Sequence, residues 1–137
     1  MAVRGETRAQ AEAASASSAI EGLAVFDLAG ALERVDQDRE LLAEVAGMYL
    51  DDCPRLLTEI AQALRTREAG ALQRAAHTLK GASSTVGGMQ VAALALHLEQ
   101  MGRSGETLGA LAVWGLLSSA SGRLVEALKS LAGRQGE

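Results

Sequence analysis

Aromatic side chains are nearly absent from this sequence, which has one Trp, one Tyr and one Phe in 137 residues. The core must therefore be built from Leu, Ala, Val and Met. Most of these residues favour helices, and strand-favouring residues are scarce. A chain of this length can bury one core of its own. The composition thus predicts a single all-α domain.

Cysteine and proline each occur once, as Cys53 and Pro54. A lone cysteine excludes an intramolecular disulfide and a thiolate metal cluster, so we expect Cys53 to be a small buried or half-buried residue. Pro54 falls inside a long helical pattern. It should kink that helix or break it into two pieces.

The sequence has no excess of positive charge, because its formal net charge is −4. This balance argues against a nucleic-acid partner, which would require a basic stripe. No apolar run is long enough to span a bilayer, and the first residues lack the apolar stretch of a signal peptide. We therefore expect a cytoplasmic protein without a membrane partner.

Apolar residues recur at helical spacing from about residue 28 onwards. A short helix, capped by Asp27, should precede four longer ones over about 37–66, 69–85, 89–101 and 105–131, the third of these ending at Gly102. Short loops favour antiparallel neighbours. The pattern predicts an antiparallel up-and-down four-helix bundle with an additional short N-terminal helix, over 19–137. We expect residues 1–18 to be a disordered tail or linker, although their alanines also permit a frayed helix.

One helix, over about 69–85, separates a polar face from an apolar one. Its apolar face gathers Leu72, Ala75, Leu79, Ala82, Ser83 and Val86. His77 lies on the opposite face, with these neighbours: Gln73, Arg74, Lys80, Gly81 and Ser84. The helix can therefore bury one side and leave the imidazole in water.

The residues around His77 suit a nucleophile that receives an anionic group. Lys80, three positions later, can reach an anion built on the imidazole, and Arg74 is a second candidate. Gly81, four positions later, costs about 1 kcal/mol relative to alanine inside a helix, and its bare backbone would let a phosphoryl group or bulky partner approach. A neutral imidazole nitrogen can attack a phosphoryl donor.

Residues 77–88, HTLKGASSTVGG, resemble the signature of histidine-containing phosphotransfer (HPt) domains, with eleven of the twelve positions compatible. The departure is Gly88, where the family usually has a small residue such as Ala. The resemblance extends over about 26–131.

This resemblance implies a phosphorelay intermediate. His77 would accept a phosphoryl group from a receiver-domain aspartate or a kinase and pass it to a response regulator, with Lys80 and Gly81 matching the family's lysine and glycine. Glu99, twenty-two positions after His77, matches a residue that hydrogen-bonds the other ring nitrogen. The implied partners are a receiver domain and a hybrid sensor histidine kinase.

The resemblance also implies that the chain is no enzyme in its own right. It would be a monomer with no nucleotide-binding domain, no intrinsic cofactor and no metal, and Mg²⁺ would be held by the receiver. The chain would also fit as the terminal domain of a hybrid kinase.

Three alternatives remain at this stage. The same scaffold could bind a receiver without phosphate exchange. Leu96 could contribute to a docking surface, together with Arg74, Gln73 and Ser84, or it could pack under the N-terminal segment. A metal site from His77, His97 and Glu99 lacks a supporting Glu-x-x-His motif. We expect His97 to be a flanking or half-buried residue, since no lysine or glycine follows it at the required spacing.

Overall fold

The computed structural model describes residues 4–133, with side chains from residue 8 onwards, and within this range the chain forms helices and no strand. The helices are α1 (Arg4–Ile20), α2 (Leu28–Arg34), α3 (Arg39–Thr66), α4 (Ala69–Thr85), α5 (Met89–Arg103) and α6 (Ala110–Leu131). No helix in the described range is long and apolar enough to cross a membrane.

Helices α3 to α6 form a closed ring in which each packs against the next and α6 packs against α3. Contacts along the helices show that neighbours are antiparallel: Tyr49 of α3 meets Ser83 near the end of α4, and Gln90 at the start of α5 meets Arg123 of α6. The predicted all-α helical bundle is confirmed, and these two pairs of helices run antiparallel. The short helix α2 packs beside α3.

The core of the bundle is aliphatic. Its fully buried large side chains come from all four bundle helices, and they include Leu42, Leu56, Ile60, Leu72, Leu79, Val91, Leu94, Leu98, Leu117, Leu124 and Leu128. The apolar face predicted for α4 is buried, except that Ala82 is half-buried. Cys53 is buried beside Ser121, as predicted, and Trp114 is half-buried against the core.

Side chains of aspartate begin two of the helices. Asp27 accepts a hydrogen bond from the Gly30 backbone at 3.0 Å, and Asp38 accepts one from the Leu41 backbone at 3.1 Å. Each carboxylate satisfies a backbone N–H that has no partner within its own helix. The cap predicted at Asp27 is therefore confirmed, and α3 begins two residues later than expected.

The disordered tail or linker predicted over residues 1–18 is wrong for the described part, because residues 4–20 form α1. This helix packs against α5 and α6. Its inward stripe consists of Ala9, Ala13, Ala16 and Ile20, of which Ala16 is fully buried. Such small side chains give a weak pattern in the sequence, yet alanine favours helix and allows close packing. Residues 1–3 lie outside the described range.

Two further helix boundaries and one interruption differ from the sequence predictions. Helix α3 passes through Pro54 as one helix, so the predicted break into two pieces does not occur. Helix α6 begins at Ala110, because Gly105 and Gly109 both adopt positive φ angles and form the preceding turn. Gly102 does not end α5, which continues to Arg103.

The turn between α4 and α5 is fixed by two glycines. Gly87 has φ +82°, and a Cβ atom there would lie 2.5 Å from the carbonyl oxygen of Asp27. Its own carbonyl accepts a hydrogen bond of 2.8 Å from the Asp27 backbone. A Cβ atom on Gly88 would collide with the Leu124 side chain. The turn that follows the His77 helix is thus held against both α2 and α6.

Candidate functional site

His77 lies in the middle of α4 and points away from the core. Its side chain is 65% exposed, whereas Leu79, two positions later, is fully buried. The amphipathic pattern of α4 therefore produces the predicted orientation. The ring is open to a reaction partner from the solvent side.

The surface of α4 beside the His77 ring has an open position at Gly81. A Cβ atom placed on Gly81 would meet no atom within 4 Å, so the bare backbone there faces open space. Arg74 is exposed, and Gln73 and Ser84 are half-buried on the same side of α4. A depression in the surface is lined by the following residues: Gln73, Arg74, His77, Thr78, Glu99 and Arg103.

Glu99 reaches the histidine from the neighbouring helix α5. Its Oε2 atom lies 2.7 Å from the His77 Nδ1 atom, and its Oε1 atom accepts a hydrogen bond of 2.7 Å from Lys80. The Glu99 side chain is only 3% exposed. It is therefore a buried and hydrogen-bonded carboxylate, and it differs from the solvated surface carboxylates that glutamates usually provide.

The charge of Glu99 is maintained by its partners. The hydrogen bond from Lys80 holds the pKa of Glu99 below its usual value of 4.5, with a further contribution from His77, and these effects outweigh the opposing effect of burial. Glu99 is therefore ionised at neutral pH. An ionised carboxylate only accepts hydrogen bonds, so the His77 Nδ1 atom must carry a proton.

This proton determines which ring nitrogen can react. When Nδ1 of a neutral imidazole carries the proton, the lone pair resides on Nε2. The Nε2 atom is then the available nucleophile of the exposed ring. The carboxylate also stabilises positive charge that develops on the ring.

The sequence predicts that Lys80 reaches an anion on the imidazole, but in the structure its charge is paired with another side chain. Its ammonium group is bound to Glu99, and its side chain is 30% exposed. From this position beside the ring it remains on the same face as His77. Arg103, which the sequence reasoning missed, also contacts Glu99, at 3.3 Å, with a 64% exposed side chain. It lies four residues after Glu99 on α5, and that spacing is the signal that could have identified it.

His97, the other histidine, lies on the far side of α5. Its Nε2 atom is 2.6 Å from Glu12 of α1, and its side chain is 15% exposed, as predicted for a half-buried residue. His97 therefore does not join His77 and Glu99, the other two residues considered for a metal site. In the part of the chain that the structure describes, no group of three or more metal-ligating side chains occurs.

Leu96 is 39% exposed on α5. The N-terminal segment therefore does not bury it, and that alternative from the sequence is wrong. The predicted docking role of Leu96 remains a prediction.

The Hpt domain family model matches residues 44–132, which include most of α3, all of α4 to α6 and every residue of the site. The chain therefore belongs to the Hpt domain family. No curated protein and no solved structure matches it significantly. Members of this family are phosphotransfer modules of two-component signalling that lack a nucleotide-binding domain and interact with receiver domains and kinases.

Proposed function

We propose that this chain is a phosphorelay intermediate that carries a phosphoryl group on the Nε2 atom of His77. The observation that carries the proposal is the hydrogen bond of 2.7 Å between Nδ1 and the buried Glu99 carboxylate. It leaves the lone pair of the other ring nitrogen on an exposed ring. Family membership supplies the reaction class.

In the accepting step, the Nε2 lone pair attacks the phosphorus atom of an aspartyl phosphate on a receiver domain. The new N–P bond forms as the P–O bond to the aspartate breaks, and the aspartate carboxylate leaves with the electron pair. The ring keeps its Nδ1 proton and becomes cationic. The negative charge of Glu99 stabilises that cation in place.

The same proton serves the donating step. When the phosphoryl group moves to the aspartate of a second receiver, the N–P electron pair returns to Nε2, and a neutral imidazole is the leaving group. Because Glu99 holds the Nδ1 proton throughout, no proton has to be exchanged with solvent. Positioning and charge stabilisation then supply most of the catalysis, as in other phosphoryl transfers.

Two cations next to Glu99 suit the phosphoryl oxygens. Lys80 and Arg103 both contact the carboxylate, and both have exposed surface on the side of the ring. When a dianionic group is present on Nε2, Lys80 can move its ammonium group from Glu99 toward that group. Gly81 contributes by leaving the approach open.

The partners that fit this chemistry are a receiver domain of a response regulator and a hybrid sensor histidine kinase. The receiver's acidic pocket would hold the Mg²⁺ ion, and the chain would act as a monomer in the cytoplasm. The proposed docking surface consists of Arg74, Gln73, Ser84 and Leu96, which are exposed or half-buried.

The test is phosphoryl transfer from a phosphorylated receiver to the purified chain. Wild type should acquire acid-labile, base-stable phosphate, and His77→Gln should acquire none while keeping its helical circular dichroism. His97→Gln is the matched control, because that ring is half-buried and paired with Glu12. Phosphate on the His77→Gln variant, or its absence from wild type with every receiver tried, would refute the proposal.

A further inference from the structure

Helices α4 and α5 touch backbone to backbone at one point. A Cβ atom placed on Gly102 would lie 2.7 Å from the Gln73 nitrogen, 2.8 Å from the Ala69 oxygen and 2.9 Å from the Gln73 Cα atom. Each of these distances is below 3.0 Å, which Cβ atoms in proteins essentially never reach. Only glycine permits this approach.

The contact lies one helical turn from the proposed reaction site on both helices. Gly102 follows Glu99 by three residues on α5, and Gln73 precedes His77 by four residues on α4. Since the two helices are antiparallel, the Gly102 contact and the His77–Glu99 hydrogen bond are neighbouring contacts of one interface. The separation of the helices at Gly102 therefore sets the distance that the side chains of Glu99 and His77 must span.

From this geometry we infer that Gly102 is a positioning residue for phosphoryl transfer, which keeps the Glu99 carboxylate within hydrogen-bond distance of the His77 ring. The inference rests on the proposed function of His77. A methyl group at position 102 would push the helices apart by about 0.7–1 Å to restore normal contacts. The distance of 2.7 Å between Nδ1 and Oε2 would then approach the limit of about 3.5 Å beyond which no hydrogen bond remains.

Two glycines of α6 provide controls that separate the displacement of the helices from the general effect of placing alanine in a helix. Gly115 and Gly122 lie on the exposed face of α6, and a Cβ atom at either position would meet nothing within 4 Å. Gly115→Ala and Gly122→Ala therefore make the same chemical change without moving a neighbouring helix. They are the matched controls.

The first measurement is the tautomer of the His77 ring, read from side-chain ¹⁵N–¹H correlation spectra of the full chain. The sequence has two histidines, so His97→Gln assigns the signals. Wild type should show the proton on Nδ1. Gly102→Ala should shift the ring toward the Nε2–H form that an unassociated imidazole prefers, and the two control variants should retain the wild-type tautomer.

The second measurement is a double-mutant cycle with Glu99→Ala, using the rate of phosphoryl acceptance. Gly102→Ala alone should lower that rate by about tenfold, since a misplacement of 1 Å can cost up to roughly 100-fold. In the Glu99→Ala background, Gly102→Ala should cause no further loss, because the interaction it acts through is already absent. If Gly102 had a merely structural role, the rate of the double variant would fall by the product of the two single-variant losses.

Three outcomes would overturn the inference: an unchanged His77 tautomer in Gly102→Ala, multiplicative losses in the cycle, or loss of the folded spectrum, which would assign the contact to the fold alone. If wild type accepts no phosphoryl group, the proposed function fails. The tautomer measurement then still decides whether Gly102 positions Glu99.

Discussion

The carboxylate of Glu99, whose side chain is 3% exposed, lies 2.7 Å from the Nδ1 atom of His77, whose ring is 65% exposed. The buried group belongs to α5 and the exposed group to α4. A charge inside the helix interface thus controls a ring that is open to solvent. The ionisation of the buried Glu99 carboxylate therefore determines which nitrogen of the exposed His77 ring carries a proton.

The folded domain should lose stability in acid through Glu99. Because its pKa is lowered on folding, the ionised form stabilises the native state; this contribution is present above the unfolded value of about 4.5 and disappears as the pH falls through the lower folded value. Urea unfolding at a series of pH values between about 2 and 7 should show this loss. Glu99→Gln should flatten the acid limb, whereas Glu59→Gln, in an exposed pair with Arg55, should not. Equal acid limbs in wild type and Glu99→Gln would contradict the prediction.

Adding a methyl group at Gly81 should change stability and activity in opposite directions. Gly81→Ala should stabilise the fold by up to about 1 kcal/mol, because alanine is the better helix former and nothing lies within 4 Å of the new Cβ atom. The methyl group should slow phosphoryl acceptance by narrowing the approach to the ring, and Gly81→Leu should slow it further. Urea unfolding and transfer rates measure the two effects, with Gly122→Ala as the control that gains stability only. A normal rate for Gly81→Leu would exclude a role for steric access.

The two cations at Glu99 should contribute unequally. Lys80 donates a hydrogen bond of 2.7 Å and is partly covered, whereas Arg103 contacts Glu99 at 3.3 Å and is 64% exposed. Since exposed pairs are strongly screened, Lys80→Ala should reduce phosphoryl acceptance by about tenfold or more, and Arg103→Ala by only a fewfold. Transfer rates at low and high salt would measure both. A larger loss for Arg103→Ala would reverse the assigned order of the two residues.

Removal of residues 1–20 should weaken the bundle without disturbing the site. Helix α1 buries mainly alanine methyl groups and part of Ile20, so its loss should cost about 1–3 kcal/mol of unfolding free energy. It also removes the contacts of Glu12 with His97 and of Arg8 with Glu106. Thermal unfolding gives the loss of stability, and the His77 ring signals report the site. Altered His77 signals would show that α1 supports the reaction centre as well.

The strongly patterned parts of the chain could be predicted from sequence. Leucine-rich stripes define the cores of α3 to α6, and the two faces of α4 place His77 in water. Helix α1 was missed because Ala9, Ala13 and Ala16 give little hydrophobic contrast, and their burial depends on a surface formed by distant α5 and α6. A pattern of one segment cannot contain that information.

The sequence identifies most residues of the site, but it does not predict how those residues contact one another. Glu99 follows from its spacing after His77 in the family resemblance, but its near-complete burial depends on how closely α4 and α5 approach. The sequence pattern predicts that Gly102 ends its helix, which is the common role of a glycine near a C-terminus. Its contact with the backbone of Gln73 is a tertiary property that no local rule contains.

A buried hydroxyl pair links the other side of the His77 helix to α3. Tyr49 and Ser83 are hydrogen-bonded at 3.0 Å in the interior, and burial raises the pKa of Tyr49, so this hydroxyl stays neutral. Helix α4 cannot turn about its long axis without breaking that bond inside the apolar core. The direction in which the imidazole points is therefore fixed by a contact inside the core, and no partner is needed to set it.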